Sequence, residues 1–401
     1  MTIDRGQLTT IAMRFHAALS EHESSLVAVD ELIESVRASG VEADVAFVFV
    51  SRDHVDQADE IAERLWLRLD PQALVGVSAE GVIGPAREVE RAPGMAVLVG
   101  RMPGVRIHPF HVPPEEFADV LADHALLAER LGGGPETRAV VALGDPFSTP
   151  TNRLLPAIDE ALPGVPVVGG MASAGQGPGQ NVLFRNDRIY TQGLVGLSLS
   201  GPGLEVQTVV SQGCRPFGKT YVVTKAHDNV IEQLGGRPAL AALRDAVMDL
   251  SEADRQLLAR GLFVGRAISE YRESFGRGDF LVRTVMNVDN ETGVVEVGDY
   301  VRVGQTVQFQ VRDAATATED LSLMLATVAE QPAAPAGGLL FSCNGRGTRL
   351  FDAPCHDVDA ARAALPATPV AGFFAAGELG PVGRRNFIHG HTASFALFRG
   401  K

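Results

Sequence analysis

The sequence predicts an α/β protein: two lobes of mixed β-sheet built from repeated βαβ-plus-hairpin units, with helices packed on the sheets. Three observations lead there. One grammar recurs three times: an apolar run, a polar turn, a helix-like stretch, then a V-x-G-like run entering a loop of small residues. Each recurrence is followed by alternating, turn-punctuated segments that read as antiparallel strands. The chain has 401 residues, 45% of them apolar and 21% charged, enough for more than one core at ~100–150 residues per domain.

Along the chain, residues 1–40 read as an N-terminal segment of one or two amphipathic helices, LTTIAMRFHAAL and SLVAVDELIESV. The first unit is DVAFVFVSRDHVDQADEIAERLWLRLDPQALVGVSAEGVIG (44–84). The second is TRAVVALGDPFSTPTNRLLPAIDEALPGVPVVGGMASAG (137–175), and the third runs from AGGLLFSCNGRG to GFFAAGELG (336–380). From Val50 to Gly76 and from Leu143 to Gly169 the spacing is 26 residues, and from Phe341 to Gly372 it is 31. A strand, a helix and a second strand fit within such spacing as a right-handed βαβ unit with parallel, buried strands. Asp53, Ser148 and Asp357 stand where helix caps belong.

Residues 96–112, 181–210, 280–313 and 386–398 alternate like antiparallel strands, with RND and PG as turns and three further turn signals within 280–313. Helical linkers are expected at 115–131, 229–262 and 317–330. The middle linker suggests a boundary near residue 235, giving domains at 41–235 and 236–401.

In parallel sheets, ligands bind beyond the carboxyl ends of the strands, where helix N-termini present free N–H groups. The third unit is richest there. Arg346, between two glycines, suits a bidentate clamp on a carboxylate, with Asn344 beside it. Cys343 is the candidate nucleophile if the protein is an enzyme, provided that a neighbour lowers its pKa. Glu378 and Glu80 hold twin loop positions and suit an ammonium or hydroxyl. Gly170 and Gly372 would let backbone approach a ligand closely. His389 and His391 differ by two and would share one face of a strand, as ligand-binding groups, as haem ligands or as structural imidazoles.

The formal net charge of −14 argues against a nucleic-acid surface, which needs a basic face. No apolar run reaches the ~18 residues of a membrane span, and the first residues lack a signal peptide's pattern. A cytoplasmic protein is therefore expected, without membrane partners. Heavy Ala, Gly and Val usage suggests a bacterial source. Cys214, Cys343 and Cys355 form no CxxC pair, so neither a disulfide framework nor a zinc knuckle is indicated.

In FSCNGRGTRLF, GFFAAGELGP and NFIHGHTASFALF the chain resembles the C-terminal pattern of the FIST domain proteins. VGVSAEGVIG, VVGGMASAG, GLVGLSLSG and VSQGCRPFG followed by NVIEQLGGRPAL resemble the N-terminal pattern. The resemblance implies a sensory module of intracellular signal transduction that binds a small molecule, an amino acid being the proposed class, with Arg346, Asn344, Cys343, Glu378, Glu80, Gly170, Gly372, His389 and His391 as candidate lining. It implies a separate signalling protein as output partner. Some family members look like haem-based nitric-oxide sensors that partner a histidine kinase, so the alternative is a haem cofactor on His389 or His391.

Overall fold

The computed structural model describes residues 12–258, 261–270, 275 and 279–400. The N-terminal part of the predicted LTTIAMRFHAAL helix, up to residue 11, lies outside them. Its remainder is a strand, because the alternation of Phe15, Ala17 and Ala18 against polar neighbours is satisfied by pairing with a core strand.

Three units of one design build the core. The first has β1 (Arg14–Ser20), α1 (Ser25–Ser39), β2 (Val45–Ser51), α2 (Ala58–Leu69) and β3 (Ala73–Ala79), then the hairpin β4 (Gly81–Ile83) and β5 (Glu88–Glu90), then β6 (Met95–Arg101). The second has β7 (Arg106–Val112), α3 (Phe117–Ala122), α4 (His124–Arg130), β8 (Thr137–Gly144), α5 (Thr151–Ala161) and β9 (Val167–Met171). Its hairpin is β10 (Leu183–Arg185) and β11 (Arg188–Tyr190), and β12 (Leu194–Ser200) closes it. The third opens with β13 (Leu204–Gln212) and is interrupted at once.

The interruption is a separate sheet: β14 (Cys214–Pro216), β15 (Tyr221–His227), β16 (Val230–Leu234), β17 (Arg237–Pro238), α6 (Ala239–Met248), α7 (Glu252–Leu258), β18 (Leu262–Ala267), β19 (Phe280–Val288), β20 (Val295–Val297) and β21 (Thr306–Arg312). Its strands pair antiparallel in the order β21-β15-β16-β20-β19-β18, and β18 pairs back to β21, closing a barrel around Val223, Ile231, Val264, Phe309 and α6. The predicted helix over 229–262 is thus half strand at its start. The third unit then resumes with α8 (Ala314–Ala329), β22 (Gly337–Cys343), α9 (His356–Ala364) and β23 (Val370–Ala375), the hairpin β24 (Glu378–Val382) and β25 (Arg385–His389), and finally β26 (Thr392–Gly400).

The three core sheets share one order: opening strand, closing strand, the parallel pair, then a hairpin from another unit. Hairpin β4–β5 joins the third unit's sheet at β23, β10–β11 joins the first at β3, and β24–β25 joins the second at β9. This exchange is cyclic, so no unit completes its sheet alone. The inner faces meet in one cluster that includes Phe47, Phe49, Leu143, Leu197, Phe341 and Phe373, with the helices outside.

The V-x-G signal has a packing cause. At Gly76, Gly169 and Gly372 a Cβ would lie 1.9, 1.8 and 1.7 Å from the carbonyl oxygens of Val48, Ala142 and Leu340, their parallel-strand neighbours. Only glycine permits that approach. Gly372 therefore serves strand pairing rather than a ligand. Gly170 is likewise packed, against Ala375 and Phe373.

Candidate functional site: a buried polar cluster at the stem of the barrel

The chain leaves the core for the barrel at Gly213 and returns at Asp313, and the third unit's polar turn lies against this stem. The Gly213 N–H donates to the His391 carbonyl (3.2 Å), the Asp313 N–H donates to the Gly213 carbonyl (3.3 Å), and the Arg312 guanidinium donates to the Gly345 carbonyl. The turn after β22 is tight. The Arg346 N–H returns to the Cys343 carbonyl at 2.7 Å, while the Asn344 N–H bonds the Ala375 carbonyl of the parallel strand.

This turn aims Arg346 inward, where it is fully buried. Its Nε and Nη2 each donate to Asp357 at 2.7 Å, and Asp357 also accepts from Ser342 (2.7 Å) and bonds His356 (2.8 Å). Burial opposes both charges. Arg346 and these hydrogen bonds nevertheless hold the Asp357 carboxyl well below the usual range, and Asp357 keeps the guanidinium raised. The expected bidentate clamp exists, but its partner is internal. Sequence reading placed Asp357 as a helix cap, and no side-chain cap forms there.

Around this pair the other groups gather. Glu378 is fully buried at the start of β24, where its Oε2 accepts from the Thr392 hydroxyl (2.6 Å) and N–H (3.3 Å). Burial pushes its carboxyl up to about 8, against the pull of Thr392, Cys343 and Arg346. The Cys343 residue is partly exposed but its thiol is enclosed; burial, then the Glu378 charge, pushes it up to about 12. That is the opposite of an activated nucleophile. Arg312 sits in the field of Cys343, Cys214, Arg346 and Glu378. Glu88, from the first unit's hairpin, accepts the Val358 N–H at the start of α9 (2.8 Å) and is raised to about 8 by burial and by Asp357.

The two histidines do not share a strand face. β25 ends at His389, and His391 adopts a positive φ of 63° in the turn before β26. His389 is buried with Nε2 on the Gly380 carbonyl (3.0 Å) and is lowered to about 4 by burial. His389 is only 4% exposed, so in this arrangement its ring presents no open face to a haem. His391 faces the barrel, edge-on to Phe263 with ring centroids 4.4 Å apart, and Nε2 lies 3.4 Å from the Thr284 hydroxyl. Burial, then Arg312 and Arg346, lower it to about 4. The His391 ring thus packs on Phe263 within the field of Arg312 and Arg346.

Glu80 stands apart from Glu378. It pairs with Arg349 on the outer side of the turn, where Asn344, Glu80 and Arg349 line a recess of about 10 Å³, little more than one water. Of ten buried side-chain polar atoms without a hydrogen-bond partner among the described residues, six belong to this group: Glu378 Oε1, Arg346 Nη1, Arg312 Nε, His391 Nδ1, Asn344 Oδ1 and Glu88 Oε2. Unsatisfied buried groups are expensive and scarce in native proteins. Here they come from separate stretches of chain and gather at one stem. Arg312 and Glu88 carried no signal in the sequence: Arg312 read as an ordinary strand residue, and Glu88 lay in a stretch with no assigned element.

Family models match along most of the chain: a FIST N domain over residues 44–237 and a FIST C domain over 239–381. The chain belongs to the FIST family. FIST domains point to a sensory, small-ligand-binding role in signal transduction. The two models divide between β17 and α6, inside the barrel, whereas the fold separates core from barrel at Gly213 and Asp313. An uncharacterized protein of Mycobacterium tuberculosis (strain ATCC 25618 / H37Rv) is 42% identical over 355 residues, 88% of this chain and 91% of that one. An uncharacterized protein of Mycobacterium bovis (strain ATCC BAA-935 / AF2122/97) is 40% identical over 361 residues, 90% and 92% of the two chains. A solved cyanuric acid hydrolase, described as evolutionary innovation by structural concatenation, aligns over 97% of this chain and 100% of its own at 10% identity. Its TM-score is 0.34, too remote a likeness to bear on fold or function. No helix among the described residues is long and apolar enough to cross a membrane.

Proposed function

We propose that this FIST protein senses a small zwitterion, an amino acid or similar carboxylate, and that the buried polar groups at the barrel stem form the chamber that admits it. The observation that carries the reading is the set of buried, partnerless polar atoms of both kinds. Arg346 Nη1 and Arg312 Nε are donors for a carboxylate, and Glu378 Oε1 is an acceptor for an ammonium. Asn344 and His391 complete the wall. Arg346 contributes one edge of its guanidinium while Asp357 holds the other, which fixes its orientation before the ligand arrives.

Ligand on both sides of the stem would bias the angle between barrel and core, and a separate signalling protein would read that change. Such a shift requires different affinities for the two arrangements. Because Glu378 is raised to about 8, it carries a proton at neutral pH, and an arriving ammonium would expel it.

The test is calorimetry with a panel of amino acids at pH 7, in two buffers of different ionisation enthalpy. Binding with release of up to about one proton is expected, with at least roughly tenfold loss of affinity and no proton release in Glu378→Gln. Binding of equal strength and proton count in that variant would remove the chamber from the account, as would an absence of any binding.

A further inference from the structure

A second concavity lies between core and barrel, on the side formed by α5 and β25. It is a cleft of about 420 Å³, and Cys343, Arg346, Glu378 and His391 take no part in its walls. That volume lies within the ~300–1,000 Å³ typical of small-molecule sites. From the barrel side, Arg283 Nε and Arg266 Nη2 converge on one oxygen, Asp299 Oδ2, at 2.9 and 3.4 Å. All three side chains are largely buried, with 13%, 22% and 11% exposure respectively.

One carboxylate cannot neutralise two guanidinium groups, and Arg302 and Arg385 stand exposed at the rim. Burial, then Arg283 and Arg302, lower the affinity of Arg266 for its proton in spite of Asp299. On the facing wall the Asp159 carboxylate is occupied by the Asn386 N–H and amide, with Glu160 beside it. The cleft thus has four arginines against three carboxylates, in a chain whose net charge is −14. A concave site of reversed sign focuses potential toward an anion.

The rest of the lining is of another kind. Tyr300 is 64% exposed at the mouth, an amphipathic ring available for stacking, and Leu155, Pro156, Leu281 and Ile388 give apolar floor. A planar apolar group and an anionic group are thus accommodated together.

We propose that this cleft binds a mononucleotide, its phosphate drawn in by Arg302 at the rim and held by the Arg266–Arg283 pair, and its base against Tyr300. The site is independent of the chamber at the stem. Calorimetry on the full chain with adenosine 5′-monophosphate, adenosine and inorganic phosphate tests it. The monophosphate is expected to bind at least roughly tenfold more tightly than either fragment, in line with one charge-assisted contact set added to one stacking contact. Arg302→Gln should weaken the monophosphate and leave adenosine unchanged, and Tyr300→Ala should weaken monophosphate and adenosine but not phosphate. Both side chains are exposed, so these variants fold. Absence of monophosphate binding, phosphate binding as tightly as the monophosphate, or indifference to both substitutions would overturn the proposal.

Discussion

Arg346 and Asp357 meet through two 2.7 Å hydrogen bonds with 0% and 1% of their side chains exposed. The pair joins the polar turn after β22 to the start of α9. Breaking one side leaves the other charge buried without compensation, typically at ~3–5 kcal/mol, while replacing both with apolar groups costs far less. Arg346→Ala and Asp357→Ala should each lose about that much stability in urea unfolding, and Arg346→Met with Asp357→Leu should lose less than either. Single variants within about 1 kcal/mol of wild type would show that the pair carries no structural role.

Glu378 makes stability depend on pH in an unusual direction. The unfolded chain ionises it near 4.5 and the folded chain near 8, so between these values the folded state holds the extra proton. Stability is fully present below about pH 4.5 and is lost as pH rises toward 8. Relative to Glu378→Gln, the wild type should lose on the order of 4 kcal/mol across that window. Glu88, raised in the same sense, leaves a residual slope in the variant. Parallel pH profiles for the two proteins would mean that Glu378 is already ionised in the fold.

The three equivalent glycines offer a test of the repeat. At Gly372 a Cβ would stand 1.7 Å from the Leu340 carbonyl oxygen, backbone that cannot move without breaking the parallel pair, whereas at Gly390 nothing lies within 4 Å. Overpacking normally costs ~1–3 kcal/mol, and here the obstacle is main chain. Gly76→Ala and Gly372→Ala should each lose at least ~3 kcal/mol or fail to fold, with Gly390→Ala within about 0.5 kcal/mol of wild type. Similar melting behaviour for Gly372→Ala and Gly390→Ala would contradict the packing account.

Those glycines explain why much of the core was legible. A βαβ unit needs a close parallel pair, close pairing here needs glycine at a fixed place, and so the V-x-G run repeats at near-constant spacing. What each unit does with its hairpin was not legible. Val82, Phe184 and Leu379 are apolar in any pairing, and only the cyclic exchange decides which strand they meet. The alternation of 280–313 revealed strands, yet nothing local told that they close a barrel inserted between β13 and α8. The site divides in the same way. Arg346, Glu378, His391 and Cys343 stood out as polar residues in apolar surroundings, and the fold brings them together. Arg312 arrives on the last strand of the barrel, and Asp357 looked like a cap because its position in α9 suits one. The spacing of His389 and His391 was misleading because the strand ends between them.

The polar turn is strapped down from outside over the buried polar cluster, and the strap should govern access. Glu90 accepts from the Thr348 N–H (2.9 and 3.2 Å) and hydroxyl (2.9 Å), and Arg349 pairs with Glu80 while donating to the Asn344 carbonyl at 2.7 Å. Gly347, at φ 55°, makes this fit possible, since a Cβ there would meet the Glu90 carboxylate at 2.6 Å. Both straps run from the first unit's hairpin region to the third unit's turn, so they cross the exchanged sheet. Each contact is solvent-exposed and therefore worth ~1 kcal/mol or less. Releasing both would shift the closed–open equilibrium of the turn by roughly that much, a factor of about 5. Cys343 reports this directly, because its thiol is enclosed when the turn is closed. Glu90→Ala combined with Arg349→Ala should accelerate iodoacetamide labelling of Cys343 about 5-fold, as followed by peptide mass spectrometry, without changing the rate at Cys214. Unchanged labelling at Cys343 would mean that the chamber opens by another route, through the barrel stem itself.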